Sequence, residues 1–193
     1  MTKTRRAKIK NNQTKKNSAD LYRINLNGKN PRPLTRGPYG AMNVEAAVSP
    51  DGRKVAFSSD RSGKPMVYVM DINGKNIRKL TNAGRYNSTP SWSPDGKHLT
   101  FASLDRAKGA FDVMRISING MKLERLTSAR KKNGRWANNE DPAYSPDGRH
   151  ILFVSDRTGR KQLYLVNPDG TNERRITHDS ANYEKPKWSP YTN

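Results

Sequence analysis

One phrase recurs along the chain and fixes most of what it can fold into. Ser49-Pro-Asp-Gly52 leads into Lys54-Val-Ala-Phe-Ser-Ser-Asp60. Trp92-Ser-Pro-Asp-Gly96 leads into His98-Leu-Thr-Phe-Ala-Ser103, and Ser145-Pro-Asp-Gly148 into His150-Ile-Leu-Phe-Val-Ser-Asp156. A further copy begins at Trp188-Ser-Pro190. Pro presets φ for the second position of a tight turn and Asp-Gly supplies a positive φ, so each copy reads as strand, hairpin turn, strand. A second phrase keeps the same period. Leu21–Gly28, Val67–Gly74, Asp112–Gly120 and Leu163–Gly170 alternate in character and close on Asn-Gly or Asp-Gly, with glycines at 28, 74, 120 and 170, hence intervals of 46, 46 and 50. Each is followed by a short strand ending Leu34-Thr, Leu80-Thr, Leu126-Thr or Ile176-Thr.

Period-2 alternation with Gly turns, and no ten-residue stretch of helical period, make the chain all-β. One unit holds four antiparallel strands, in the third unit at about 89–93, 98–103, 112–118 and 123–127. A four-stranded unit repeated at this interval is the blade of a β-propeller, which buries its flat faces on its neighbours. Three whole blades are expected near 43–81, 86–127 and 138–177. The N-terminus adds strands two to four of another, and Lys185-Pro-Lys-Trp-Ser-Pro190 adds a first strand. Two arrangements follow: a closed four-bladed ring whose terminal blade is shared by the two chain ends, or part of a larger, six-bladed propeller. Residues 20–193 form the repeat domain. Residues 1–19 carry seven basic residues and no acid. They read either as a solvated basic tail or as a degenerate strand, because 7–22 aligns without a gap on 53–68, with Asn11 in the place of Phe57.

The chain carries 37 Lys and Arg against 17 Asp and Glu, a formal net charge of +20, which favours anionic partners without choosing among nucleic acid, anionic surfaces and acidic proteins. It has no cysteine, so thiolate metal sites and thiol nucleophiles are excluded. It has no apolar run of membrane-spanning length. Met1–Lys10 lacks the apolar stretch of a secretory signal, so the chain as written is expected in the cytoplasm.

Catalytic chemistry is not expected. His98 and His150 hold the same repeat position after a Gly turn, and no nucleophile elbow, zinc-helix motif or phosphate loop is present. Asp51, Asp95 and Asp147 recur in every turn and are expected to cap turn amides. The Asp71–Gly74 and Asn167–Gly170 turns lack the further ligands of a calcium loop and read as hairpins. No metal site and no cofactor is expected.

Pro90-Ser-Trp-Ser-Pro-Asp-Gly96, Ser59-Asp-Arg61, Ser155-Asp-Arg157, Val67-Tyr68, Leu163-Tyr164 and Leu80-Thr81 resemble the propeller repeats of the TolB family, over about residues 20–190. Similar repeats occur in the propellers of prolyl-oligopeptidase-like enzymes. The resemblance implies a periplasmic component of the Tol–Pal envelope system, with a six-bladed propeller that binds the lipoprotein Pal. The chain holds about four blades' worth of that pattern, so a partial TolB-like protein is expected.

Function is sought where blades differ. The loops entering the first strands bring Glu45, Thr89, Asp141 and Lys185 to one repeat position, and Asn43, Asn87, Asn139 and Tyr183 to the position two residues earlier. Strands that start at the centre should set these side chains around one mouth of the channel. Tyr39, Tyr86, Trp136 and Tyr183 lie in the same loops, and aromatics beside polar groups compose protein-binding faces. The loop 128–141 is the longest and includes Arg130, Lys131, Lys132, Arg135 and Trp136. The partner-binding candidates are therefore Tyr39, Asn43, Glu45, Tyr86, Asn87, Thr89, Arg135, Trp136, Asn139, Asp141, Tyr183 and Lys185. Three functions compete: a protein-binding scaffold, a basic propeller for nucleic acid or anionic surfaces, and the regulatory propeller of a hydrolase.

Overall fold

The computed structural model describes residues 2–5, 18–38 and 40–189. Fifteen strands are found among them. β1 (Thr2–Arg5), β2 (Ser18–Arg23) and β3 (Arg32–Pro33) form a three-stranded sheet. β4 (Asn43–Val48), β5 (Lys54–Ser59), β6 (Met66–Asp71) and β7 (Arg78–Lys79) form the second sheet. β8 (Asn87–Trp92), β9 (His98–Asp105), β10 (Ala110–Ser117) and β11 (Leu123–Arg125) form the third. β12 (Asn139–Tyr144), β13 (Ile151–Ser155), β14 (Gln162–Val166) and β15 (Arg174–Arg175) form the fourth. Each is an antiparallel meander in sequence order, so the three whole blades fall where the repeats place them.

Strands with both faces buried need neighbours on both sides, and β5 and β6 are buried at nearly every position. Their alternation assigns successive residues to opposite seams. Val55, Phe57, Tyr68 and Met70 pack with Leu21 against the first sheet. Ala56, Val67 and Val69 pack with Trp92, Leu99, Phe101 and Ile116 against the third. The next seam joins Val113 and Leu126 to Tyr144, Ile151, Phe153, Tyr164 and Val166. The core is thus a series of inter-blade layers, and each buried Phe is worth roughly 3–5 kcal/mol against Ala.

The N-terminal strand differs from the expected alignment. β1 pairs with β2 in the register Thr2↔Leu21, whereas the ungapped alignment puts the partner near residue 12. The aligned segment itself, including Asn11, lies outside the described residues. At the other end, residues 185–188 follow the path of a first strand. Trp188 Nε1 donates to Ala143 O at 2.9 Å, as Trp92 Nε1 does to Ala47 O one seam earlier. Among the described residues no ladder joins this segment to β1.

Candidate functional site

The innermost strand of each blade ends in the Ser-Pro-Asp-Gly turn. In the third blade Ser93 Oγ donates to Asp95 Oδ1 at 2.6 Å and accepts the His98 N–H at 2.9 Å, while Asp95 Oδ1 also accepts the Lys97 N–H at 3.0 Å. Ser49 with Asp51 and Ser145 with Asp147 repeat these bonds, and all three serines are buried. The Ser93 hydroxyl, with the Lys97 amide, holds the Asp95 carboxyl below the usual carboxylate range, and Ser49 does the same to Asp51. The Ser, Asp and His of the repeat therefore build a turn, as expected from their recurrence. The Asp71–Gly74 turn is likewise closed internally: Gly74 N–H donates to Asp71 O, and Lys75 N–H to Asn73 Oδ1.

The opposite end of the same strand carries the position expected to face the mouth. Glu45, Thr89, Asp141 and Lys185 all have left-handed backbone, with φ of 57°, 51°, 52° and 48°. In the three paired blades each sits at a β-bulge, where register shifts between Val44 and Ala47, Ser88 and Ser91, and Glu140 and Ala143. A bulge re-aims the side chain it carries, and these four line one cavity of about 190 Å³, with Pro90, Pro142 and Pro186 beside them.

Two of the four side chains link one blade to the next. Glu45 Oε2 accepts from Ser58 Oγ at 2.7 Å and from the Thr89 N–H at 2.8 Å. Asp141 Oδ2 accepts the Lys185 N–H at 3.1 Å. Thr89 interrupts the series, because its Oγ1 is buried without a partner among the described residues.

The asparagines two residues earlier require a correction. Asn43, Asn87 and Asn139 are fully buried and offer no surface to a partner. Strand alternation would give them the face of Glu45, Thr89 and Asp141, but the left-handed residue breaks the alternation and turns them into the seams. Asn43 Nδ2 donates to Ala19 O at 3.0 Å and to Asp20 Oδ1 at 3.2 Å, and its Oδ1 accepts from Ser59 Oγ and Arg61 Nη2. Asn139 donates to Asp112 at 3.1 Å and accepts from Arg157 at 2.9 Å. Asn87 donates to Thr81 Oγ1 and Ala83 O. They clamp one blade to the next. Their identity across three blades was the available signal, since like residues mark structural jobs. The threonines of the Leu-Thr phrase are a second such set: Thr35, Thr81, Thr127 and Thr177 accept the N–H of Leu21, Val67, Val113 and Leu163 at 2.9–3.0 Å.

The loop aromatics are partly exposed. Tyr86 packs edge-on to Phe111, with centroids 5.8 Å apart, and burial followed by the nearby carboxylates of Glu45 and Asp60 pushes its phenol up. Trp136 is covered by two cations, Arg130 Cζ at 3.8 Å and Lys108 Nζ at 4.2 Å from its ring centre. Arg135 is exposed beside it. Tyr183, in the fourth asparagine position, donates its hydroxyl to Asp179 at 2.5 Å. Tyr39 lies outside the described residues. These loops share a face with the second hairpin of the blade they leave, since Asn87 N–H donates to Pro65 O and Tyr183 N–H to Lys161 O.

Comparison with known proteins agrees with this architecture. An uncharacterized protein of Agrobacterium fabrum, Atu1656, is 35% identical over 167 residues, covering 83% of this chain and 52% of its own length. A TolB homolog of Chlorobaculum tepidum is 40% identical over 126 residues, 65% of this chain and 27% of its own. The solved structure of a TolB-like protein from Agrobacterium tumefaciens superposes with a TM-score of 0.73 at 32% identity, over 84% of this chain and 56% of that one. The chain thus spans about half the length of the first relative and of the solved structure, and about a quarter of the second. A family profile described as the TolB beta propeller domain matches residues 7–192. The chain belongs to the TolB beta propeller domain family.

Proposed function

We propose that the chain is a non-enzymatic, protein-binding propeller that takes its partner at the mouth formed by the inter-blade loops. The supporting observation is the convergence of Glu45, Thr89, Asp141 and Lys185 on one cavity, at a repeat position where the blades share a backbone conformation but carry unlike side chains. The cavity, lined by charged side chains and prolines together, and the partly exposed Tyr86 and Trp136 match the mixed make-up of protein-binding surfaces. Following the family, the partner is a Pal-like lipoprotein and the working compartment the periplasm. No helix among the described residues is long and apolar enough to cross a membrane.

The anionic-surface reading is less well supported by the longest loop. Lys131 is paired with Asp156 at 2.7 Å, and Arg130 is engaged by the Trp136 ring and Gly134 O. The hydrolase reading finds no support in the repeated serines, whose hydroxyls are committed to their turns.

The test is calorimetric titration of the full chain with the soluble domain of Pal from the same organism. Saturable binding is expected, weakened at least tenfold in the Tyr86→Ala/Trp136→Ala double variant and in Glu45→Arg. Absence of binding, or an affinity that neither variant changes, overturns the proposal.

A further inference from the structure

A groove of about 870 Å³ follows the seam between the second and third blades, and its charge is unbalanced. One wall is the segment 80–85, which leaves β7 for the next blade. The other is the face of β9, β10 and β11. Leu80, Phe101 and Ile116 are buried beneath it. Its open surface includes Leu123, 43% exposed, the exposed side chains of Lys64, Arg85 and Arg106, and the exposed backbone of 82–84. The N–H groups of Asn82, Ala83 and Gly84 have no acceptor among the described residues.

The two ends of the groove differ. At one end the Gly120 turn meets Leu80, where an added Cβ would lie 3.6 Å from Leu80 O, and Leu123 stands on the strand that follows. At the other end Arg85 N–H donates to Leu104 O at 3.1 Å and Lys64 Nζ to Gly84 O at 3.0 Å, beside the hairpin that carries Arg106. Ile116 pairs with Leu123 and Ala110 with Asp105, so the strand between the two ends spans roughly 20 Å.

The cations gather at the hairpin end for a reason visible in the ladder. In the second and fourth blades the Arg of Ser-Asp-Arg folds back, Arg61 onto Ser59 and Asn43, Arg157 onto Ser155 and Asn139. The third blade reads Ser103-Leu-Asp-Arg106. Its ladder runs on to Asp105↔Ala110, where the others stop at Ser59↔Met66 and Ser155↔Gln162, and Arg106 is carried out onto the turn. The nearby acids are already engaged, since Asp105 and Asp112 both pair with Arg125. Lys64, Arg85 and Arg106 have no carboxylate partner among the described residues.

We propose that this groove binds an extended acidic peptide segment of a partner protein. An apolar side chain rests on Leu123, and carboxylates meet Lys64, Arg85 and Arg106, the match of opposite charge that selects partners at interfaces. The free amides of the wall suit an extended backbone. A bilayer is too broad to enter the groove. The one aromatic ring in its lining, Phe101, is buried and gives a nucleic-acid base nothing to stack on. The groove lies apart from Glu45, Thr89, Asp141 and Lys185, and the inference does not rest on the partner proposed there.

The probe is a fluorescein-labelled, C-terminally amidated hexapeptide, Leu-Ser-Glu-Ser-Glu-Glu, and its reversed sequence, titrated with the full chain by fluorescence anisotropy. Saturable 1:1 binding of one of the two is expected, with none of the same peptides carrying Gln for Glu. Arg85→Glu/Arg106→Glu alters exposed side chains only and should weaken binding at least tenfold, and Leu123→Ser should weaken it severalfold. Lys75→Glu/Lys97→Glu makes the same change in net charge on exposed side chains outside the groove and should weaken binding less than twofold. Each variant should keep the wild-type thermal transition. Absence of saturable binding, or equal binding of the Gln peptide, overturns the proposal. So does an equal loss in the two charge-reversed doubles, which would mark general attraction to a basic surface, or an affinity unchanged by Leu123→Ser. A single-stranded oligothymidylate bound as tightly as the peptide, and weakened by the same Arg85→Glu/Arg106→Glu change, would overturn it in favour of nucleic acid.

Discussion

The two ends of each innermost strand obey different rules. At one end Ser-Pro-Asp-Gly keeps both its backbone and its side chains in all three whole blades, because each side-chain oxygen closes a bond of the turn. Near the other end, two residues past the repeated Asn, only the backbone is kept. Glu45, Thr89, Asp141 and Lys185 share a left-handed conformation, which costs Glu, Thr and Lys roughly 1–2 kcal/mol each and Asp less. Strain repeated at one place in every blade fixes where a side chain points and leaves its chemistry free. A binding surface can vary there without disturbing the fold.

Breaking the buried neighbour of the mouth should have the largest effect. Asn139→Ala removes bonds to Asp112 and Arg157 in a fully buried seam. It should lower stability by about 3 kcal/mol in urea unfolding. A loss under 1 kcal/mol would mean that the clamps are dispensable. At the turn, Ser93→Ala strips the His98 amide of its acceptor and should cost about 2 kcal/mol, measured the same way.

Acid should weaken the turn end too. Asp95 and Asp51 have folded pKa values below the ordinary one of about 4. Their contribution is complete above that ordinary value and is lost as pH falls through the lowered folded values. Thermal melts of the wild type and Asp95→Asn should converge on acidification below about pH 4, and melting curves that stay parallel would contradict this. The smallest effect is expected at the mouth. Thr89→Asn offers a residue that tolerates positive φ and a carbonyl in place of an unpaired hydroxyl, so a gain of about 0.5–1 kcal/mol is expected in the same urea series.

Fold and blade boundaries were legible because turn chemistry is local: Pro, Asp and Gly act within four residues. The mouth position was legible by counting back from a fixed turn. The error at Asn43, Asn87 and Asn139 arose from a conformational fact that composition does not announce. Glu, Thr, Asp and Lys are not residues from which four left-handed bulges are read, and without the bulge the alternation rule gives the wrong face.

The two indoles that reach across seams have an optical consequence. Trp92 is 8% exposed and donates to Ala47 O, while Trp188 is 36% exposed and donates to Ala143 O. Each reports on a different inter-blade layer, and their environments differ in wetness, so Trp92 should emit to the blue of Trp188. With Trp136 and either partner replaced by Phe, the emission of the remaining indole timestamps the opening of one layer. Two such single-Trp proteins tell whether the stack comes apart all at once or is peeled from its C-terminal end.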